Sequence, residues 1–147
     1  MSFQFRLQSV LKLRQHERDV QRQLFAAASD LRTAKIAERN WLMEDRIAVL
    51  NELRSMNDDH SWPVAQVVHR QRHAEQLLRE LAIAEADVVE ADAQLEICLN
   101  RLILADRAVR GLERLEERQL ADYQITQARI ESQEFDDIAM SQFRPSN

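Results

Sequence analysis

The sequence predicts an all-α protein: two long helices forming an antiparallel coiled-coil hairpin, the second helix longer. Three observations carry this. One glycine and two prolines in 147 residues leave almost nothing to build turns, loops or a sheet. Charged residues make up 31% and aromatics 5%, the profile of long helices rather than of a layered core. Stepping alternately four and three residues from Leu77 meets Leu81, Ala84, Val88, Ala91, Leu95, Cys98, Leu102, Ala105, Val109 and Leu112 without one polar side chain. That is an unbroken heptad seam of about five repeats, unstable until another helix covers it.

In chain order, Ser2 is a candidate cap and the first helix covers about 3–56, free of Gly and Pro. Its stripe runs through Val10, Leu13, Glu17, Val20, Leu24, Ala27, Leu31, Ala34, Glu38 and Trp41, then broadens through Leu42, Met43, Ile47, Val49, Leu50, Leu53 and Met56. Residues 57–63, Asn-Asp-Asp-His-Ser-Trp-Pro, form the turn: Asn, Asp and Ser compete for the backbone, and Pro63 begins a helix but cannot continue one. The second helix covers about 64–140, roughly 115 Å at 1.5 Å per residue, and a short tail of 141–147 contains Pro145. The whole of 1–147 reads as one hairpin domain.

A reversal near His60 makes facing residue numbers sum to about 120, pairing Leu53 with Val67, Leu42 with Leu78, Leu31 with Val89, Leu24 with Leu95 and Val10 with Val109. Ala26, Ala27 and Ala28 then meet Ala91 and Ala93, where the axes should approach closely. Charge agrees with an intramolecular pair. Residues 1–56 hold 10 basic against 7 acidic residues, net +3, and the remainder is −8 within a total of −5. The free protein is therefore expected to be a monomer, with both termini at one end. Beyond Leu112 the seam shifts near the sole glycine, Gly111, in a way that resembles a four-residue stutter. The segment from about Leu120 to Met140, with Tyr123, Ile125, Ile130, Phe135 and Ile138, projects past its partner as an amphipathic overhang suited to another protein.

Chemistry-bearing constellations are scarce. One glycine cannot build a phosphate-cradling loop. His69 and His73 stand four apart but lack the further ligands that a metal requires, so they read as solvated histidines. The pairs Glu116-Glu117 and Asp136-Asp137 lie on a solvated face with nothing to perturb them, and Cys98 reads as a small seam hydrophobe. No catalytic residue, cofactor or metal is expected. Nucleic acid fits poorly because the chain is acidic and its basic cluster, Arg6, Lys12, Arg14, Arg18 and Arg22, is thinned by Glu17 and Asp19. No apolar run is long enough to span a membrane, and no signal peptide opens the chain, so a cytosolic location is expected without membrane insertion. Trp41 and Trp62 cannot be fully buried by two helices. They are either packed locally near the turn or serve as binding anchors.

Two stretches carry a family resemblance. Phe3-Gln4-Phe5-Arg6-Leu7-Gln8-Ser9-Val10-Leu11-Lys12-Leu13-Arg14, followed by Glu17 and an Ala-rich helix, resembles the start of the FliJ family of flagellar type III protein export. Glu134-Phe135-Asp136-Asp137-Ile138-Ala139, with an aromatic and Arg144 close behind, resembles its tail, although Asp137 stands where Glu is expected and Ser141-Gln142 where basic residues are. The resemblance implies a non-enzymatic stalk, similar to the gamma subunit of rotary ATPases, that engages the export ATPase hexamer, promotes its activity, contacts the export gate cytoplasmic domain and helps cycle export chaperones at the cytoplasmic face of the membrane. On that reading Phe3, Phe5, Arg6, Lys12, Arg14, Tyr123, Ile130, Phe135 and Ile138 are candidates for the ATPase contact, and Trp41 and Trp62 for the gate or another partner. Alternatives are the equivalent stalk of a virulence type III secretion system and a generic coiled-coil adaptor or holding chaperone.

Overall fold

The computed structural model describes residues 2–143, and among these every regular element is helical: α1, Gln8–Asp58, and α2, Val64–Gln142. They contain 51 and 79 residues. The helices contribute to two compact units, one joining the described parts of Met1–Asp19 and Ile103–Asn147, the other Val20–Leu102.

Within the Val20–Leu102 unit the chain reverses over residues 59–63. The Ser61 N–H donates to Asp59 Oδ1 at 3.3 Å, and the Pro63 carbonyl accepts from the N–H groups of Gln66 and Val67 at 3.1 and 3.3 Å. Pro63 thus supplies the first acceptor of α2 and loses nothing by having no N–H of its own. Facing positions are fixed by ion pairs: Arg32 with Asp92, Lys35 with Asp87 at 3.8 Å and Glu52 with Arg70 at 3.3 Å. Numbers rise along one helix as they fall along the other and sum to 122–124, a few residues beyond the expected register. Near the turn Leu42, Val49, Ala74, Leu77, Leu81 and Ala84 form a buried cluster, with Leu50 and Leu53 against it.

The α2 stripe that starts at Leu77 faces inward, each position from Leu77 to Leu112 being buried or half-buried in its own unit. The α1 stripe is a correction. Val20, Leu24, Leu31 and Trp41 are 38%, 46%, 52% and 63% exposed, and Ala27, Ala34 and Glu38 are exposed with them. The inward face lies one residue along, through Gln21, Phe25, Ala28, Arg32, Lys35, Arg39, Leu42, Arg46, Val49, Leu53 and Met56. One residue is about 100° around the helix, so the apolar stripe is turned outward between Val20 and Trp41, whereas Leu42, Val49, Leu50, Leu53 and Met56 of its broadened part do face inward. The expected partners Leu78 and Val89 are likewise exposed, and Ala26, Ala27 and Ala93 do not line the interface.

Size and charge account for the choice. At the observed register Arg39, Lys35 and Arg32 oppose Ala84, Val88 and Ala91, small side chains beside which a long aliphatic stem fits; the charges of Lys35 and Arg32 reach out to Asp87 and Asp92, and Arg39 donates to the Asn40 amide oxygen. The apolar stripe would give up those pairs. The polar face has its own cost, because Gln21 Oε1 and Arg46 Nε are buried without a hydrogen-bond partner in the protein.

In the other unit, Phe5, Leu11 and Val109 form a buried cluster against which Phe3, Leu112 and Leu115 pack, and Val109 is fully enclosed. Helix α1 begins at Gln8 rather than near residue 3, so Ser2 caps nothing; Phe5 C=O instead accepts from the Gln8 N–H at 3.2 Å. The reason is aromatic. In a helix, residues two apart point about 200° away from each other, so a helical start could not place both Phe3 and Phe5 on α2. The non-helical arm does, with Phe5 beside Val109 and the Phe3 ring centroid 5.6 Å from that of Tyr123. Gly111 is an ordinary exposed helical residue whose missing Cβ would meet nothing within 4 Å. Past Gln127 every described side chain is exposed.

Candidate functional site

Two surfaces, one in each unit, present side chains that the fold does not use. The first is in the unit holding the N-terminal arm. Arg6, Lys12 and Arg14 are exposed, with Arg14 held by Glu17 at 2.9 Å, a pair three apart on one helix. Ile130, Phe135 and Ile138 are 42%, 73% and 55% exposed, and Met140 and Phe143 are 72% and 86% exposed. Such apolar area on a segment in which every described side chain past Gln127 is exposed is what a docking segment offers. Three other sequence candidates are placed differently: Phe5 is buried in the core, while Phe3 and Tyr123 are half-buried against each other. Arg144 lies outside the described residues.

The second surface is at the turn of the Val20–Leu102 unit. Trp62, 45% exposed, walls a cleft of about 630 Å³ with Glu52, Ser55, Met56, Ala65, Gln66, His69 and Arg70. His69 and Arg70 continue into a shallower groove with Arg72, His73, Gln76 and Arg79. Trp41 lies elsewhere on this unit, beside Leu42, Ile83 and Ala84 with Glu38, Glu80 and Asp87 at the edges. The two tryptophans therefore stand in separate clefts: acids edge that of Trp41, whereas that of Trp62 holds the Glu52–Arg70 pair and adjoins the arginine groove.

The total charge of its half hides the basic groove. Residues 64–79 hold three arginines and two histidines against the single acid Glu75, inside a half that is strongly acidic in total. The signal is local charge, net positive over these sixteen residues.

The described residues contain no group of three or more His, Cys, Asp or Glu able to hold a metal. Asp136 and Asp137 are fully on the exposed segment, Glu116 is only half-buried, and Cys98 sits half-buried in the α2 seam. No described helix is long and apolar enough to cross a membrane. What the arrangement can do is bind, through apolar anchors flanked by charge of one sign.

A family model described as flagellar FliJ protein matches residues 3–147, nearly the whole chain. No curated protein and no solved structure matches it significantly. The chain belongs to the FliJ family, a non-catalytic component of flagellar protein export.

Proposed function

We propose that this FliJ-family chain is a stalk and adaptor of the flagellar type III export apparatus, an antiparallel coiled-coil hairpin that engages the export ATPase hexamer, promotes its activity and links it to the export gate cytoplasmic domain and export chaperones. It works as a monomer at the cytoplasmic face of the cell membrane, without nucleic acid or membrane insertion.

One observation carries the ATPase assignment. The segment of residues 128–143 exposes Ile130, Phe135, Ile138, Met140 and Phe143, with every described side chain in it exposed, next in sequence to a segment whose one aromatic, Tyr123, is engaged by Phe3 of the N-terminal arm. Burying that face in the ring yields roughly 25 cal/mol per Å² before the costs of association. Arg6, Lys12 and Arg14 add orientation and salt sensitivity. Phe3, Phe5 and Tyr123 support the surface rather than reach out from it. Trp41 and Trp62, in clefts of the other unit, are assigned to the gate or another partner.

The test is the ATPase rate of the cognate ring with and without this protein. Full-length chain should raise it, and truncation after Tyr123 should abolish the effect while the melting transition persists. Full stimulation by the truncated chain, lost instead on Trp41→Ala or Trp62→Ala, would reverse the assignment of the two surfaces.

A further inference from the structure

We infer that the turn cleft of the Val20–Leu102 unit is a receptor for an acidic amphipathic helix of a partner protein, seated with one large apolar side chain against Trp62 and its carboxylates along the arginines of early α2. The inference deepens the assignment of the turn to a partner, and rests on it, by naming the partner's chemistry.

The apolar part of the site is local and shaped. Met56 is buried at its base, Trp62 is half in contact with solvent, and Ala65 and the stem of Gln66 complete a cleft of about 630 Å³. That is the scale of a few large side chains, not of an extended apolar face. An indole that is partly covered and partly open is suited to become fully covered on binding.

Charge then selects the occupant. Of the arginines on the adjoining groove, Arg70 is partly neutralised by Glu52, whereas Arg79 donates only to the neutral amide of Gln76 at 2.7 Å, and Arg72 has no carboxylate partner among the described residues. Arg72 and Arg79 stand seven apart, two helical turns and about 10 Å along one face, the repeat at which a second helix presents flanking carboxylates. Arginine favours this use because its fixed fork matches a carboxylate.

An anionic membrane surface is the competing reading, and the tip itself argues against it. Asp58 and Asp59 cap the same turn, exposed, and Glu52 lies in the cleft wall. A planar bilayer would meet those carboxylates together with the arginines, whereas a single helix meets only the groove.

The experiment uses full-length chain with Trp41→Phe, so that Trp62 alone reports. The probe is a synthetic helix with glutamates on one face and leucines plus one phenylalanine on the other, set against its glutamine counterpart. Trp62 emission should move to shorter wavelength and saturate with the glutamate peptide. Affinity should fall at least tenfold in the exposed double variant Arg72→Gln, Arg79→Gln, and the glutamine peptide should bind at least tenfold more weakly. Equal response to the glutamine peptide, or undiminished binding by the double variant, overturns the proposal. So does a shift produced by phosphatidylglycerol vesicles but not by the peptide, or self-association that occupies the cleft and disappears on truncation after Tyr123. Capture of the export gate cytoplasmic domain, compared with and without Trp62→Ala, reads the broader assignment separately. If capture needs Trp62 while the glutamate peptide fails to bind, the turn remains a partner site and its acidic specificity is wrong.

Discussion

In the Val20–Leu102 unit the two helices meet through unlike faces. Helix α2 brings Leu77, Leu81, Ala84, Val88 and Ala91, all under 10% exposed, whereas α1 brings Arg32, Lys35, Arg39 and Arg46 among its inward residues and leaves Leu24, Leu31 and Trp41 outside. The difference teaches that a heptad stripe is a choice between faces. On α2 the apolar stripe has no rival. On α1 two stripes run one residue apart, and the small seam and acidic flank of α2 favour the one with long basic stems.

The largest effect should come from asking which leucines are covered. Leu77→Ala, at a site 3% exposed, should cost about 2–4 kcal/mol in urea unfolding, while Leu31→Ala should stay within about 0.5 kcal/mol. Similar losses from both would mean that the outer stripe of α1 is covered in solution and that the contrast between the helices is false.

A smaller effect, of opposite sign, would sharpen the comparison. Arg46→Leu removes a buried Nε that has no partner and replaces it with a side chain suited to the Leu77 side of the seam, so stability should rise by about 1 kcal/mol. A loss of that size would show that the guanidinium is satisfied by water. Gly111→Ala lies in open space on α2 and should add about 0.5–1 kcal/mol through helix propensity alone, seen as a higher melting temperature. Smallest is the pair of Lys35 and Asp87, both partly exposed. A double-mutant cycle should give a coupling of about 0.2–1 kcal/mol that fades in high salt.

These sites also mark where the sequence was readable. The all-helical fold followed from composition, and the break near Pro63 from turn chemistry; the inward face of α2 is the one that its spacing marks. From Leu42 to Met56 the inward residues of α1 are among those its apolar pattern marks, but between Val20 and Trp41 the face was not readable from apolar spacing, since Arg32 and Lys35 count as polar in any such pattern although their stems pack. The start of α1 was hidden because Phe3 and Phe5 fit a helical pattern as well as an arm, and only the position of Tyr123 and Val109 decides between them. At the candidate surfaces, exposed Phe135 and Ile138 were visible as apolar residues past the seam. The basic groove beside Trp62 disappeared in a charge sum dominated by acids farther along α2.

Which face of α1 turns inward is tested most directly by disulfide formation in two variants. In the first, Phe25→Cys is added to the native Cys98, two half-buried positions that oppose each other at the observed register. In the second, Leu24→Cys and Leu95→Cys are combined with Cys98→Ser, joining the positions that apolar matching would pair. Oxidised at low protein concentration, the first variant should crosslink rapidly within one chain and the second slowly or not at all. Rapid crosslinking of Leu24→Cys to Leu95→Cys, with none between Phe25→Cys and Cys98, would contradict the account and return the apolar stripe of α1 to the interior.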